Sequence, residues 1–265
     1  MNTKTAPAYE DAYDDLRLVQ PARSVPAGAG WDWIAGGWKL FMGAPLMWII
    51  AIIIVFIASI AMSLVPILGG IAVQLLQPVV TAGFMVGSHS VDRGGNFELE
   101  HLFAGFKKNF GSLVVVGLLF VIGGIAILLV FVAIVAMTVG TAILTGGSEQ
   151  ILPALMASAL MILVGVLVML ALLVPLFAAY WFAPALVMMH GMAPVEAMKE
   201  SFVACFRNFV PFLVYGIVML VLAVVAAIPF GLGFLVLIPV TIASIYVSYK
   251  QIFTEEGPPP TVLAA

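Results

Sequence analysis

The sequence predicts an all-α integral membrane protein with six transmembrane helices, and three observations support this prediction. Of the 265 residues, 64% are hydrophobic and 9% are charged, whereas a soluble globular protein is about 45–50% apolar and about 25% charged. The apolar residues fall into six long segments, and about 20 helical residues are needed to cross a bilayer core. The basic residues all lie on one side of these segments. A water-soluble fold is therefore excluded.

The six spans follow one another through short connections. We predict them at residues 45–65, 69–90, 112–140, 153–189, 211–228 and 234–253. The fourth is longer than the bilayer core, but dividing it would move Lys199 and Arg207 to the side opposite the other basic residues, so we keep it as one span. Proline inside a helix removes a backbone hydrogen bond and bends the helix. We predict such kinks at Pro78, Pro175, Pro184 and Pro239.

All ten Lys and Arg residues lie on one side of the predicted bundle. The connections on the other side, at residues 66–69, 140–152 and 229–233, contain none. Positively charged loops remain in the cytoplasm when a membrane protein inserts. We therefore expect both termini to be cytoplasmic.

Two terminal segments differ in composition from the membrane domain between them, at residues 29–253. Residues 1–28 are polar, acidic and interrupted by prolines, so we expect a disordered cytoplasmic tail. Residues 254–265 contain a run of three prolines, which is typical of an extended polyproline-type tail, also cytoplasmic.

A short amphipathic stretch precedes the first, third and fifth spans. In each stretch apolar side chains recur at helical spacing and charged side chains take the opposite face. Helices of this kind lie in the plane of the lipid headgroups, so we expect three interfacial helices. Their apolar faces are Trp31, Ile34, Trp38 and Phe41, then Leu99, Leu102, Phe103, Phe106 and Phe110, then Val195, Met198, Phe202, Phe206 and Phe209.

Two patterns occur three times along the chain. An aromatic residue followed by one or two basic residues precedes each odd-numbered span, and a proline followed four residues later by alanine lies in each even-numbered span. These patterns predict a threefold repeat of an interfacial helix and a transmembrane hairpin, at about residues 29–92, 96–191 and 193–253. Chance similarity is the alternative, because proline and alanine are common in membrane helices. The matching residues are Trp38-Lys39, Phe106-Lys107-Lys108 and Phe206-Arg207, and Pro78/Ala82, Pro175/Ala179 and Pro239/Ala243.

Several short segments together resemble a known family. They are Gly30-Trp31-Asp32-Trp33 through Pro45-Leu46-Met47-Trp48, then Leu102 to Phe106, Trp181 to Leu186, and Ser201-Phe202 to Asn208. Over about residues 25–253 the chain resembles a family of uncharacterised proteobacterial multi-pass membrane proteins. It is more distantly similar to the membrane region attached to some glycerophosphodiester phosphodiesterases. The resemblance implies a bacterial inner membrane and transfers no catalytic residue, and the phosphodiesterase activity is not expected because that domain is not present.

Residues that could support catalysis or bind a metal are few. Apart from Lys250 at the end of the sixth, the predicted spans contain no Asp, Glu, Lys or Arg, and the sequence has no recognised catalytic or phosphate-binding motif. We therefore expect no enzyme activity, no cofactor and no nucleic-acid partner. The alternative is a metal site formed by His89, His101, His190 and Cys205. We do not favour it, because no pair of these residues has the i, i+4 spacing of ligands on one helix.

Polar residues in two spans suggest a cavity. Gln74, Gln77 and Thr81 share one face of the second span, and Ser244 and Tyr246 lie at a comparable depth in the sixth. They could line a shared polar cavity for transport. The simpler interpretation is that they form hydrogen bonds between helices.

The aromatic–basic pairs suggest contacts with lipid. Lys39, Lys107, Lys108 and Arg207 would meet anionic headgroups if these pairs lie at the membrane surface. Anchoring of the helices in the interface is the simpler interpretation of the same residues. Small residues in the third and fifth spans, such as Gly117 and Ala223, would also allow close packing in this chain or against a second copy or another membrane protein.

The function favoured by these observations is that of a membrane scaffold or accessory protein that acts through lipid and protein contacts. The alternative is a transporter or channel for a small neutral or amphipathic solute, with the proline-containing hairpins as its lining or moving elements.

Overall fold

The computed structural model describes residues 16–145 and 151–256. This part of the chain is almost entirely helical and contains two short strands. In chain order the elements are β1 Leu16–Leu18, α1 Ala29–Gly43, α2 Pro45–Ser63, α3 Leu68–Asp92, the 3-10 helix Leu99–Phe103, α4 Ala104–Lys107, α5 Phe110–Thr145, α6 Ile151–Trp181, α7 Ala183–His190, α8 Pro194–Arg207, α9 Phe209–Ala227, α10 Phe234–Phe253 and β2 Thr254–Glu256.

Six helical segments are long and apolar enough to cross a membrane. They are Pro45–Ser63, Leu68–Asp92, Phe110–Thr138, Ala159–His190, Phe209–Ala227 and Phe234–Phe253. The shortest has 19 residues, which at about 1.5 Å per residue matches the roughly 30 Å of a bilayer core. The predicted all-α, six-span fold is confirmed.

The helices form three units, each an interfacial element followed by a two-span hairpin. Unit 1 comprises α1–α3, unit 2 runs from the 3-10 helix to α7, and unit 3 comprises α8–α10. The interfacial element of each unit packs on the hairpin of the unit before it. The 3-10 helix and α4 contact α3, α8 contacts α6 and α7, and α1 contacts α9 and α10. The last contact closes the three units into a ring, which is the arrangement that a threefold repeat predicts.

The repeated aromatic–basic motifs occupy equivalent places in this ring. The residue before the aromatic is Gly37 in unit 1, and a methyl group added there would lie 2.6 Å from the carbonyl oxygen of Val240. The same addition at Gly105 in unit 2 would lie closer still to the carbonyl oxygen of Val79. Each of these carbonyls immediately follows the proline of an even-numbered span. The missing side chain therefore lets each interfacial element approach that span at the same point.

The core lies at the end of the bundle that carries the interfacial elements and the charged residues, which we call the charged face. Its largest side chains come from all three units. Trp48 of α2, for example, lies with its ring centroid 4.4 Å from that of Phe97 and 5.7 Å from that of Phe84. The other large, fully buried side chains include Trp33, Phe182, Leu186, Tyr246, Tyr249 and Phe253.

Toward the opposite ends, the three hairpins separate from one another. Among the side chains that the structure describes there, the buried residues are Gly69, Gly165 and Ala226. Gly69 approaches Met62, and Gly165 lies near Phe131. These are contacts of small residues within a single hairpin. The described residues of different units therefore pack mainly in the half of the bundle next to the charged face.

The N-terminal segment belongs to the folded domain, so the predicted disordered tail at residues 1–28 is wrong for residues 16–28. β1 pairs with β2 in antiparallel register, with Leu18 opposite Thr254. The amide of Val25 donates to Asn208 Oδ1 at 2.8 Å, and Leu16 and Ala22 are buried. These pairings stabilise the segment because they satisfy backbone groups on the protein rather than in water.

The same pairing corrects the predicted C-terminal tail, since residues 254–256 form β2. Residues 1–15 and 257–265, on which the rest of both predictions falls, lie outside the described part of the chain.

The fourth span is interrupted at Phe182, where a kink at Pro184 was predicted. α6 ends at Trp181, and Pro184 lies in the first turn of α7, where its missing N–H group would have no helical partner. Pro78, Pro175 and Pro239 lie inside continuous helices. The kinks predicted at these three residues stay predictions.

The second interfacial element is not the continuous amphipathic helix that was predicted. It consists of the 3-10 helix Leu99–Phe103 and the single-turn α4, with its N-terminus capped by a side chain. The amide of Glu98 donates to Nδ1 of His101 at 3.1 Å. This contact satisfies one of the backbone donors at a helix start.

Candidate functional site

A polar cleft of about 890 Å³ lies at the charged face, and we call it the α1 cleft. It lies between one face of α1, the ends of α3 and α10, and β2. Its charged side chains are Arg23, Asp32, Lys39, Asp92, Lys250 and Glu255. Three are basic and three are acidic, so the lining is formally neutral.

The spacing along α1 explains how this helix forms one wall. Asp32, Gly36, Lys39 and Gly43 follow one another at intervals of four, three and four residues, which places them on one face of a helix. A methyl group at Gly36 would lie 2.9 Å from a side-chain carbon of Val247 on α10. Glycine at this position therefore lets α1 pack directly against Val247 of α10, which also lines the cleft.

A hydrogen-bonded network forms the inner end of the cleft. The hydroxyl of Tyr246 donates to Oδ2 of Asp92 at 3.1 Å and lies 2.9 Å from Nδ1 of His89. Because a tyrosine hydroxyl has a single proton, Nδ1 of His89 is the donor in the second bond. Nζ of Lys250 lies 2.7 Å from the same oxygen of Asp92. Tyr246 and His89 are buried, whereas the two ionised groups are partly exposed.

The outer end of the cleft contains one further ion pair and two charged side chains that have no partner among the described residues. Nη2 of Arg23 lies 2.7 Å from Oε1 of Glu255. The side chains of Asp32 and Lys39 form no ion pair or hydrogen bond within residues 16–145 and 151–256. They are seven residues apart on α1, which corresponds to roughly 10 Å along the helix axis.

The residues predicted to line a polar cavity are not brought together. Tyr246 lines the α1 cleft, whereas Ser244 is buried behind it and hydrogen-bonds to the hydroxyl of Tyr215 at 2.8 Å. Gln77 borders a separate apolar groove of about 180 Å³ between α2, α3 and the 3-10 helix. Gln74 is exposed, and Thr81 is half-buried. Gln77 lies on the side of α3 that faces α2 and the 3-10 helix, and Gln74 is exposed, so neither glutamine meets the polar residues of α10.

The residues predicted to contact lipid headgroups all lie at the charged face, in different settings. Lys39 lines the α1 cleft. Lys107 binds Oε1 of Glu100 at 2.7 Å, and this hydrogen bond lowers the pKa of the Glu100 carboxyl. Nη1 of Arg207 donates to the carbonyl of Ala22 at 2.6 Å. Lys108, next to Lys107 in unit 2, is half-buried.

The residues weighed as metal ligands have separate protein partners. His89 binds Tyr246, His190 Nε2 lies 2.6 Å from the hydroxyl of Tyr249, and Cys205 Sγ lies 3.5 Å from the carbonyl oxygen of Ala178. No three His, Cys, Asp or Glu side chains in the described part of the chain are grouped as metal ligands. Burial raises the pKa of the Cys205 thiol to about 12, which keeps it in the protonated form that binds metals poorly.

Sequence reasoning missed the α1 cleft as a whole. Apart from Asp32 and Lys39, its charged residues come from three distant parts of the chain, at Arg23, at Asp92, and at Lys250 and Glu255. One signal for the cleft was present in the sequence of α1. An acidic residue, a glycine, a basic residue and a second glycine follow one another at helical spacing there, at Asp32, Gly36, Lys39 and Gly43.

Comparison with known proteins identifies a relative of similar length. The chain is 31% identical over 215 residues to a probable inner membrane protein of Burkholderia thailandensis. The match covers 79% of this chain and 78% of the relative. No family model and no solved structure matches the sequence.

Proposed function

The chain belongs to the same family as the probable inner membrane protein of Burkholderia thailandensis, and from this premise we propose that it is a non-enzymatic membrane scaffold or accessory protein. It is a multi-pass protein of the inner membrane. Its role on this proposal is to hold lipids and other membrane proteins at the charged face. The comparisons do not show the distant similarity to the membrane region of glycerophosphodiester phosphodiesterases that the sequence suggested, and the proposal takes no activity from it.

The observation that carries this proposal is the ring of interfacial elements. Trp38, Phe106 and Phe206, at equivalent places in the three units, are 49%, 42% and 46% exposed. Each is followed in sequence by a basic residue. Aromatic side chains favour the headgroup level of a membrane, and each nearby basic residue adds about 1 kcal/mol of attraction to an anionic leaflet. The ring therefore presents an exposed aromatic side chain, next in sequence to a base, on three sides of the protein.

The layer of packed side chains behind this ring favours a scaffold function rather than a pore. Tyr246, Tyr249, Trp48 and Phe182 are among the fully buried side chains of the layer. They come from α10, α2 and the break between α6 and α7, so all three units contribute to it. A solute moving along the bundle axis would have to displace these large side chains.

The charged face is cytoplasmic on this proposal, as are both termini. The basic residues of the described chain all lie at that end, and basic segments are retained in the cytoplasm during insertion. A periplasmic reporter fused after Ser148 should be active, and one fused after Asp92 should be inactive. The reverse pattern would contradict this orientation.

A transporter for a small neutral or amphipathic solute is the second candidate, because the hairpins separate toward their uncharged ends. The buried residues described there are small and make contacts within single hairpins. An opening to that side, closed by the packed layer at the charged face, is an arrangement that transporters use. The same separation could instead accommodate lipid, a second copy or another membrane protein.

Cysteine labelling distinguishes the two candidates. In a Cys205→Ala background, single cysteines at Gln74, Gln77 and Thr81 are exposed to a membrane-impermeant maleimide in intact cells and in membranes. A scaffold whose hairpins are surrounded by lipid or protein predicts protection at all three positions. Labelling at any of them indicates water at mid-depth and favours the transporter. A cysteine at Lys199, on the exposed face of α8, serves as the labelled control in opened membranes, where the reagent reaches the charged face.

A further inference from the structure

The charges of the α1 cleft restrict the kind of ligand that fits it. Three bases and three acids line it, and two of each form the pairs Arg23–Glu255 and Lys250–Asp92. A ligand with a net charge would leave an unbalanced charge in this partly enclosed space, which is unfavourable. A ligand that is neutral overall but carries separated charges avoids that cost.

Asp32 and Lys39, which have no partner among the described residues, would orient such a ligand. Asp32 and Lys39 lie on the same face of α1 with the bare backbone of Gly36 between them. The carboxylate of Asp32 can accept hydrogen bonds from an ammonium group, and the ammonium of Lys39 can donate to an anionic oxygen. One pole of a zwitterion would thus meet each end of this face of α1.

The position of the cleft indicates the class of zwitterion. α1 is an interfacial helix whose other face carries the exposed side chains of Trp31, Trp38 and Met42. This places the cleft at the level of the lipid headgroups. Its volume of about 890 Å³ falls within the range of roughly 300–1,000 Å³ that is usual for small-molecule sites.

We propose that the α1 cleft binds a zwitterionic phosphoethanolamine group, with the phosphate at Lys39 and the ammonium at Asp32. The group could be the headgroup of a phospholipid or part of a free glycerophosphodiester, since both present the same two charges. The inference goes beyond the scaffold function, because a ring of interfacial helices can anchor in a membrane whether or not this cleft is filled.

The test measures binding to the purified full-length protein in a neutral detergent. The probes are dihexanoyl phosphatidylethanolamine, glycerophosphoethanolamine and, as a net anion of similar size, dihexanoyl phosphatidylglycerol. We expect saturable binding of an ethanolamine probe and none of the glycerol lipid at the same concentrations. Asp32→Asn and Lys39→Gln each remove one charge-assisted contact and should weaken binding about tenfold.

Two control variants separate the cleft from general surface charge. Glu196→Gln and Lys199→Gln remove exposed charges of α8, which does not line the cleft, and they should bind the ethanolamine probes as the unchanged protein does. The thermal midpoint of each unliganded variant, measured in the same detergent, shows whether it has folded. Asp32 and Lys39 are exposed, so we expect unchanged midpoints.

Each outcome decides the proposal. Binding of both ethanolamine probes indicates that the headgroup alone is recognised, and binding of the lipid alone identifies a phospholipid ligand. Equal binding of phosphatidylglycerol, undiminished binding by folded Asp32→Asn or Lys39→Gln, or no saturable binding of any probe would overturn it. None of these results bears on lipid contacts at Phe106 or Phe206, so the scaffold function can stand or fail separately.

Discussion

The hydroxyl of Ser201 on α8 bridges the break in helical hydrogen bonding at Phe182. It accepts a hydrogen bond from the amide of Phe182 at 2.9 Å and donates to the carbonyl of Ala178 at 2.6 Å. In a continuous helix that amide and that carbonyl would bond directly to each other. A side chain of unit 3 thus completes the interrupted helix of unit 2, and an inserted side chain is a known cause of helix breaks.

Replacement of Ser201 with alanine should destabilise the protein. The change removes two hydrogen bonds and leaves the buried amide of Phe182 without a partner, which costs about 1–3 kcal/mol in the free energy of unfolding. Ser59→Ala is the matched control, because that hydroxyl bonds only the carbonyl of Val55 in its own helix. Reversible unfolding in mixed micelles measures both. Equal effects of the two variants would contradict a bridging role for Ser201.

An added methyl group at Gly105 should loosen the contact between units 1 and 2. Gly105→Ala would place Cβ in conflict with the backbone of Val79, which cannot move as a side chain can. Such overpacking typically costs about 1–3 kcal/mol of stability. Gly111→Ala, in the first turn of α5, has open space around it and should be neutral or slightly stabilising, because alanine favours helices. Thermal unfolding of both variants in detergent checks this, and a Gly105→Ala protein as stable as Gly111→Ala would rule the contact out.

The 3-10 helix should lose stability in mild acid. Burial lowers the pKa of His101, and the nearby carboxylates of Glu98 and Glu100 partly oppose this shift. Only the neutral imidazole can accept the hydrogen bond from the amide of Glu98. A histidine whose pKa is lower in the folded state takes up more protons when unfolded, so stability is retained above the unfolded value of about 6.5 and is lost as the pH falls below it.

Hydrogen–deuterium exchange of residues 98–107 at pH 7.5 and pH 5.5, corrected for intrinsic rates, measures this effect. Protection should fall at the lower pH in these residues and remain constant in α8, which contains no histidine. Protection that is unchanged or higher in acid would contradict the assignment of His101 as an acceptor.

The single cysteine should be unreactive in the folded protein. Cys205 is buried, and burial raises the pKa of its thiol to about 12, so very little thiolate is present at pH 8. We expect no measurable modification by iodoacetamide in a mild detergent and complete modification after denaturation in dodecyl sulfate, both followed by mass spectrometry. Rapid reaction of the native protein would show that the contact between α8 and the end of α6 is open.

The parts of the fold set by local pattern could be predicted from the sequence, and the parts set by distant contacts could not. Six apolar segments and the repeated proline–alanine and aromatic–basic patterns were sufficient for the spans and the three units. The pairing of β1 with β2 joins residues at opposite ends of the chain and has no local signal beyond three residues. Composition therefore suggested disorder where strand pairing imposes order.

The candidate site shows the same division. The helical spacing of Asp32 and Lys39 on α1 is visible in the sequence, but their proximity to Lys250 depends on closure of the ring. Gln74 and Gln77 are as polar as the cleft residues, yet Gln77 borders the apolar groove between α2, α3 and the 3-10 helix, and Gln74 is exposed. Polarity within a span could not reveal which neighbouring helix each face of α3 meets.

Closure of the ring by α1 and α10 is the central claim, and a disulfide tests it most directly. A Cβ built at Gly36 would lie 3.5 Å from Cβ of Val247, within the range of about 3.5–4.5 Å that a disulfide requires. In a Cys205→Ala background with a protease site inserted after Ser148, Gly36→Cys/Val247→Cys should form a bond on mild oxidation.

After proteolysis the two halves should migrate as one species on a non-reducing gel and separate on reduction. A Gly111→Cys/Val247→Cys control, with open space around residue 111, should separate in both conditions. Halves that separate without reductant in the Gly36→Cys/Val247→Cys protein would contradict the ring and, with it, the α1 cleft.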